Sequence, residues 1–193
     1  MQNKYKDITF GKAEAVFNKL GGVEGVEAFL RDNVKVTFVK HAIDLTKPPR
    51  LPLEDAEVIK HEGKGVVEIE LRSDGLYIDG QEVVLHLSER QLDDKPIASN
   101  ELRKELEGGE QVLLNSNVLD YLYDHPELFP EHWKKDKNGE TRYIFFWGSI
   151  FRGQASGDLC VCYLFWNDGD LNRDYVWFDH DWNHQNPSAS VAS

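Results

Sequence analysis

The sequence predicts an α+β protein: an N-terminal helical hairpin and β meander, a short helical middle, and a C-terminal antiparallel sheet rich in tryptophan. Three observations carry that prediction. Apolar residues recur at helical spacing near the N-terminus and again in the middle, whereas they alternate singly from Val66 to Leu87 and beyond Arg142. Turn residues, Ser73-Asp74-Gly75 and Asp79-Gly80 among them, punctuate the alternating stretches. All five tryptophans (Trp133, Trp147, Trp166, Trp177, Trp182) fall in the last third of the chain. With 193 residues, 40% of them hydrophobic, there is enough apolar surface for one core. One compact domain over 1–193 is therefore expected, with subregions 1–33, 34–98, 99–137 and 138–193.

Thr9 is placed to cap a helix carrying Ala13, Val16, Phe17 and Leu20 on one face, and Gly21-Gly22 ends it. Val23, Val26, Phe29 and Leu30 predict a second short helix, in which Gly25 costs about 1 kcal/mol relative to alanine. A helix-turn-helix that reads DNA is disfavoured, since its exposed Glu24, Glu27 and Asp32 repel phosphate and only Arg31 opposes them. Val34, Val36 and Phe38 alternate as a strand, and the prolines of Lys47–Pro52 mark a loop. Val66–Leu71 and Val83–Leu87 continue the meander. Ser99 is a candidate N-cap for a helix running to Glu107 and stopped by Gly108-Gly109, and Ser116 opens another with Leu119 and Leu122 inward. Pro126 and Pro130 then break the chain into turns. Lys134–Glu140 reads as an exposed linker or hairpin loop. Strands follow at about Arg142–Arg152, Leu159–Trp166 and Leu171–Phe178, with a polar tail from Gln185 to Ser193.

In the first of these strands Tyr143, Phe145, Trp147 and Phe151 share one face, and Ile144, Phe146 and Ile150 the other. In the second, Leu159, Val161, Tyr163 and Phe165 oppose Cys160, Cys162, Leu164 and Trp166. A sheet that is apolar on both faces needs cover on both, or leaves one for a partner.

The net charge of -12 opposes generic nucleic-acid binding, which draws on lysine and arginine to displace counterions. The charge is unevenly spread: the excess is +1 over 1–64, -9 over 65–137 and -4 over 138–193. The longest apolar runs, Val112–Leu114 and Ile144–Trp147, fall far short of the roughly 20 residues that cross a bilayer. The opening MQNKYKDITF has no signal-peptide core, so a cytoplasmic location is expected.

Asn18-Lys19-Leu20-Gly21-Gly22 with Phe29-Leu30-Arg31, and FFWGSIFRG with the later YLFWNDGD and YVWFDHDW, together resemble a family of uncharacterised bacterial proteins over about a third of the chain. The resemblance implies a bacterial intracellular protein and supplies no catalytic residue.

No phosphate-binding loop, dinucleotide fingerprint, nucleophile elbow or HExxH helix is present, and no cofactor is expected. Cys160 and Cys162 project to one strand face; without a second cysteine pair they read as reduced space-fillers, with redox work the minority alternative. Asp168, Asp170 and Asn172, with Asp179 twelfth, resemble a calcium loop, although Arg173 occupies the glycine position; a solvated hairpin turn is the favoured alternative. In Asp179-His180-Asp181-Trp182-Asn183-His184, a helical turn would put His180 and His184 on one metal-gripping face, against a polar terminus anchored by Trp182. His125 and His132, with Asp124, Glu127 and Glu131, could run acid/base chemistry, but the prolines prevent a shared helical face and no nucleophile is evident.

The function expected from these features is a non-enzymatic interaction or regulatory protein. Its acidic field would steer a protein partner with a basic surface, and Trp147, Trp166, Trp177 and Trp182 would anchor it. The alternatives are a metal-dependent hydrolase built on Asp168, Asp170, Asp179, His180 and His184, and an acidic mimic of DNA.

Overall fold

A computed structural model of the protein describes residues 16–18, 20, 22–31, 40–93 and 95–192. Contacts group the chain into two units, 1–39 and 40–193. In the first, residues 16–18 are helical and α1 spans Gly22–Leu30. Glycine at position 25 has a local reason: a Cβ there would run into the Leu20 carbonyl. The Thr9 cap and the strand expected over Val34–Phe38 lie outside the described residues.

The second unit is α+β with sheet predominating. Its strands are β1 (His41–Asp44), β2 (Ala56–His61), β3 (Val66–Leu71), β4 (Leu76–Ile78), β5 (Gln81–His86), β6 (Ile97–Ala98), β7 (Val112–Leu113), β8 (Tyr143–Phe145), β9 (Ser149–Gly153), β10 (Leu159–Asn167), β11 (Asp170–Trp177), β12 (Asp181–Trp182) and β13 (Ser188–Val191). Between them lie α2 (Glu89–Leu92), α3 (Ser99–Gly108), α4 (Ser116–Asp124) and two single 3-10 turns, Pro126–Leu128 and Glu131–Trp133. An 11-stranded sheet runs β1-β3-β4-β5-β13-β8-β10-β9-β2, with β11 added to β10 and β7 to β13; β6 and β12 form a separate ribbon. Among the described residues every strand pairing is antiparallel except the β13–β8 contact, which makes the large sheet mixed.

The expected meander is present as β3-β4-β5, closed by the Asp79-Gly80 turn at φ 48° and 79°. β2 departs from it and pairs with β9 instead. The tail expected to be polar and solvated is corrected most: Ser188–Val191 is a buried strand between β5 and β8. Its Ser-Ala-Ser-Val side chains are all buried, and the ladder to the neighbouring strands pairs the backbone amides.

Two helix caps also differ from expectation. Ser99 is the first residue of α3, not its cap; its hydroxyl donates to the His180 carbonyl (2.9 Å) and accepts from Trp182 Nε1 (2.6 Å). Asn115, not Ser116, caps α4, accepting from the Asn117 and Val118 amides while its Nδ2 donates to the Leu45 and Glu62 carbonyls. Lys134–Glu140 is a hairpin loop closed by the Lys135–Thr141 bridge.

The stretch expected as one strand over Arg142–Arg152 is two. Phe145 lies opposite Tyr163 and Phe151 opposite Cys160, so six steps along one chain match three along the other. The three surplus residues are looped out around Phe146-Trp147-Gly148. Because the surplus is odd, the side-chain phase inverts beyond it. Phe151 therefore joins Ile144 and Phe146 in one core, away from Tyr143 and Phe145.

That first core gathers around α4, where Val118, Leu119 and Leu122 are fully buried among Ile43, Ile69, Phe146, Cys162 and Leu164. Each such side chain contributes about 1.5–3 kcal/mol by leaving water. The second core lies on the opposite sheet face: Phe145, Trp147, Val161 and Trp182, covered by Ile97, Leu102 and Leu106 of β6 and α3.

Candidate interaction face

The C-terminal sheet is covered on the α4 side and only partly on the other. Trp147 and Trp182 fill the covered part; Trp182 meets Phe145 edge-on at 4.2 Å and Trp147 at 4.9 Å. Both are buried, which corrects their assignment as surface anchors. Trp166 and Trp177 are half-buried on the α4 side. Lys134 Nζ sits 3.6 Å over the Trp166 ring, which lines a 520 Å³ depression with Tyr123 and Pro126. Trp177 packs against Tyr175 and over Gly153, where a Cβ would come within 2.8 Å of the indole.

Beyond the edge of the second core three other rings stand half-exposed. Register places Phe165 opposite Tyr143 and Tyr163 opposite Phe145, so Tyr143, Tyr163 and Phe165 share the outer face. Their centroids are mutually 5.4–5.7 Å apart. On the other side of β10, Asp174 of β11 lies directly opposite Tyr163 and is exposed. Burial chiefly, and the Asp174 carboxylate next, push the Tyr163 phenol up to about 12. The groove beside the rings, about 330 Å³, is lined by Tyr143, Phe145, Tyr163, Val176 and His180 with the amides of Asn183, Gln185 and Asn186; among the described residues no lysine or arginine lines it. Parity puts Tyr163 with Phe165 on one face of β10 and Tyr143 with Phe145 on one face of β8, and the register joins the two sets.

The residues proposed as metal ligands do not converge. Asp168-Gly169 is a two-residue hairpin turn with φ 51° and 91°. Asp170 opens β11, while Asp179 lies past its far end, so that the whole strand, about 23 Å long, comes between them. The calcium-loop alternative therefore fails on geometry. His180 and His184 flank β12, which is extended by pairing with β6, so they share no helical face. His184 instead meets Glu140 (3.1 Å) and Asp136 (3.6 Å).

Cys160 and Cys162 are free and buried, and burial pushes their thiols up to about 11 and 12. Arg173, the misfit of the supposed calcium loop, pairs with Asp120 of α4 at 2.7 Å, the two side chains 13% and 12% exposed. Burial raises the Asp120 carboxyl above its usual range and the Arg173 charge opposes that rise. A serine–histidine contact also emerges that sequence spacing did not suggest: His61 Nδ1 is 2.8 Å from Ser149 Oγ. Ser149 is fully buried and accepts from the Ser116 amide, which suits a packing role and leaves no approach for a substrate. His125 meets Glu127 at 3.2 Å, whereas His132 stands edge-on to Trp133, so the two histidines do not form one site. No helix among the described residues is long and apolar enough to cross a membrane. Comparison with protein-family models, with curated proteins and with solved structures gives no match for this chain.

Proposed function

We propose that the protein is a non-enzymatic interaction protein that docks a basic segment of a protein partner on the Tyr143–Tyr163–Phe165 face. The observation that carries this is the ring trio with Asp174 at its margin. An arginine or lysine over such rings gains a cation–π contact of about 0.5–1 kcal/mol at an exposed site. The carboxylate supplies the counter-charge, and the net charge of -12 raises the encounter rate of cationic segments. Asn183, Gln185 and Asn186 give the groove a polar wall held in place from within the chain: the Asn183 and Asn186 side-chain oxygens accept from the Gln185 and Asn183 backbone amides, and Gln185 Nε2 donates to Glu140.

The acidic DNA mimic has less support. Glu68, Glu70, Glu101 and Glu107 each pair with a lysine or arginine, so their carboxylates are interleaved with cations and do not form a phosphate-like row. The C-terminal hydrolase has less still, because its five residues are dispersed.

The test is fluorescence anisotropy with a labelled Arg-Gly repeat peptide and a Glu-Gly control. Saturable binding of the basic peptide alone is expected, weakening with salt. Asp174→Asn should weaken it about two- to fivefold, the scale of one exposed ion pair. Equal binding of both peptides, or no change in Asp174→Asn, would count against this face.

A further inference from the structure

Away from the aromatic face, β1, the end of α4 and the following 3-10 turn bring together two imidazoles, a carboxylate and a phenol. His41 opens β1, Tyr121 lies on the last turn of α4, and His125 is the residue joining α4 to the turn Pro126–Leu128, which carries Glu127. His41 Nδ1 and the Tyr121 hydroxyl are 3.0 Å apart. The His125 ring stacks on Tyr121 at 4.4 Å and meets His41 edge-on at 5.2 Å. One ligand atom from each of His41, His125 and Glu127 falls within 4.8 Å of the others.

We propose that His41, His125 and Glu127 form a site for a divalent transition metal of the zinc, nickel or copper kind. Two imidazoles and one carboxylate are the donor set such borderline ions take, and hard ions such as calcium want oxygen alone. Tyr121 is a positioning residue. Its hydroxyl engages one nitrogen of His41, as the outer partners of metal-bound histidines do. Modest side-chain rotation closes the ligand atoms onto an ion with bonds of about 2.0–2.2 Å, and the exposed side of Glu127 leaves room for water. The other mixed cluster, Asp136, Glu140 and His184, fits such an ion less well. It has a single imidazole, and its carboxylates already accept from the Asn138 and Glu140 amides and from Gln185.

The test is titration of the tag-free, chelator-stripped full chain with zinc by calorimetry, and with cobalt by visible absorption. One zinc equivalent should bind, with a rise in Tm, and cobalt should develop the absorption of a low-coordinate nitrogen–oxygen site. His125→Gln, His41→Gln and Glu127→Gln should each weaken binding tenfold or more, while His184→Gln leaves it unchanged. Glu127, 61% exposed, can be replaced without disturbing the fold, so its variant decides the matter even where a histidine variant folds poorly. Absence of saturable binding, unchanged affinity in Glu127→Gln, or loss of affinity in His184→Gln would overturn the site.

Discussion

Gly148 is where a single methyl group should do most damage. It lies in the looped-out segment between β8 and β9, and a Cβ would stand 2.7 Å from the Leu113 carbonyl oxygen and 2.8 Å from both the Asn115 nitrogen and the Leu114 carbonyl carbon. All three are backbone atoms, so no side chain can swing aside. The same residue donates its amide to Leu114 (2.9 Å) and accepts from Glu62 (2.7 Å), tying β9 to the start of α4 and to the end of β2. Relieving the clash means moving at least one of these strands. Overpacking of this sort costs about 1–3 kcal/mol. Each hydrogen bond weakened adds about 0.5–1.5 kcal/mol. Gly148→Ala should thus destabilise by about 2–4 kcal/mol, which for a chain of this length lowers Tm by about 4–15 °C. Urea unfolding followed by tryptophan fluorescence and near-ultraviolet circular dichroism measures it. The control is Gly108→Ala at the end of α3, where a Cβ meets nothing within 4 Å and the φ is not left-handed. That change should be neutral or stabilise by up to about 1 kcal/mol. If Gly148→Ala is no less stable than Gly108→Ala, the bulge geometry described for Phe146–Gly148 is wrong, and with it the side-chain phase that sets the outer rings.

Arg173→Met strips the cation from the half-sealed Asp120 carboxylate, and should cost about 2–4 kcal/mol at neutral pH. Because the folded carboxyl then holds its proton more tightly than the unfolded one, that loss should shrink as pH falls toward the ordinary carboxylate range, as acid unfolding curves would show. Asp120→Leu in the same chain should recover much of the stability, and failure to do so would mean the pair acts through packing alone. Both thiols should resist a thiol-reactive chromophore in the native state and react fully on unfolding, since thiols held up to about 11 and 12 carry almost no thiolate at mild pH. The folded state keeps these protons where the unfolded state, near its ordinary 9, has lost them. Stability should therefore decline as pH climbs above 9 toward about 12, a slope that Cys162→Ala should reduce.

Most of the local turns were legible in the sequence because their chemistry is local. Asp79-Gly80 and Asp168-Gly169 take left-handed backbone that suits aspartate and glycine, and both close hairpins. The capping box of Ser88 and Gln91 that starts α2 was equally visible as Ser-x-x-Gln, yet the helix is a single turn and has no apolar period to draw notice. Long-range features were hidden for specific reasons. Ser188-Ala189-Ser190 looks like a solvated tail by composition, and only its neighbours β5 and β8 make it a buried strand. Ile144–Phe151 is apolar apart from Gly148-Ser149, and Ser149 is itself fully buried, so no exposed polar residue marks its phase and the three-residue slip was invisible. The same ambiguity steered attention to tryptophans: size suggested anchors, but the bulge inserts Trp147 into the second core and leaves Tyr143, Tyr163 and Phe165 outside. His41 could not be joined to His125 from spacing, since strand and helix meet only in the folded chain.

The most direct measurement is aromatic-detected NMR during titration with the Arg-Gly repeat peptide. Saturating shifts should concentrate on Tyr143, Tyr163 and Phe165 and on the Asp174, Asn183 and Gln185 signals, and should vanish at high salt. Shifts centred on Trp166, spread evenly over the glutamates of β3 and α3, or absent at saturating peptide would contradict the assignment of this face as the docking surface.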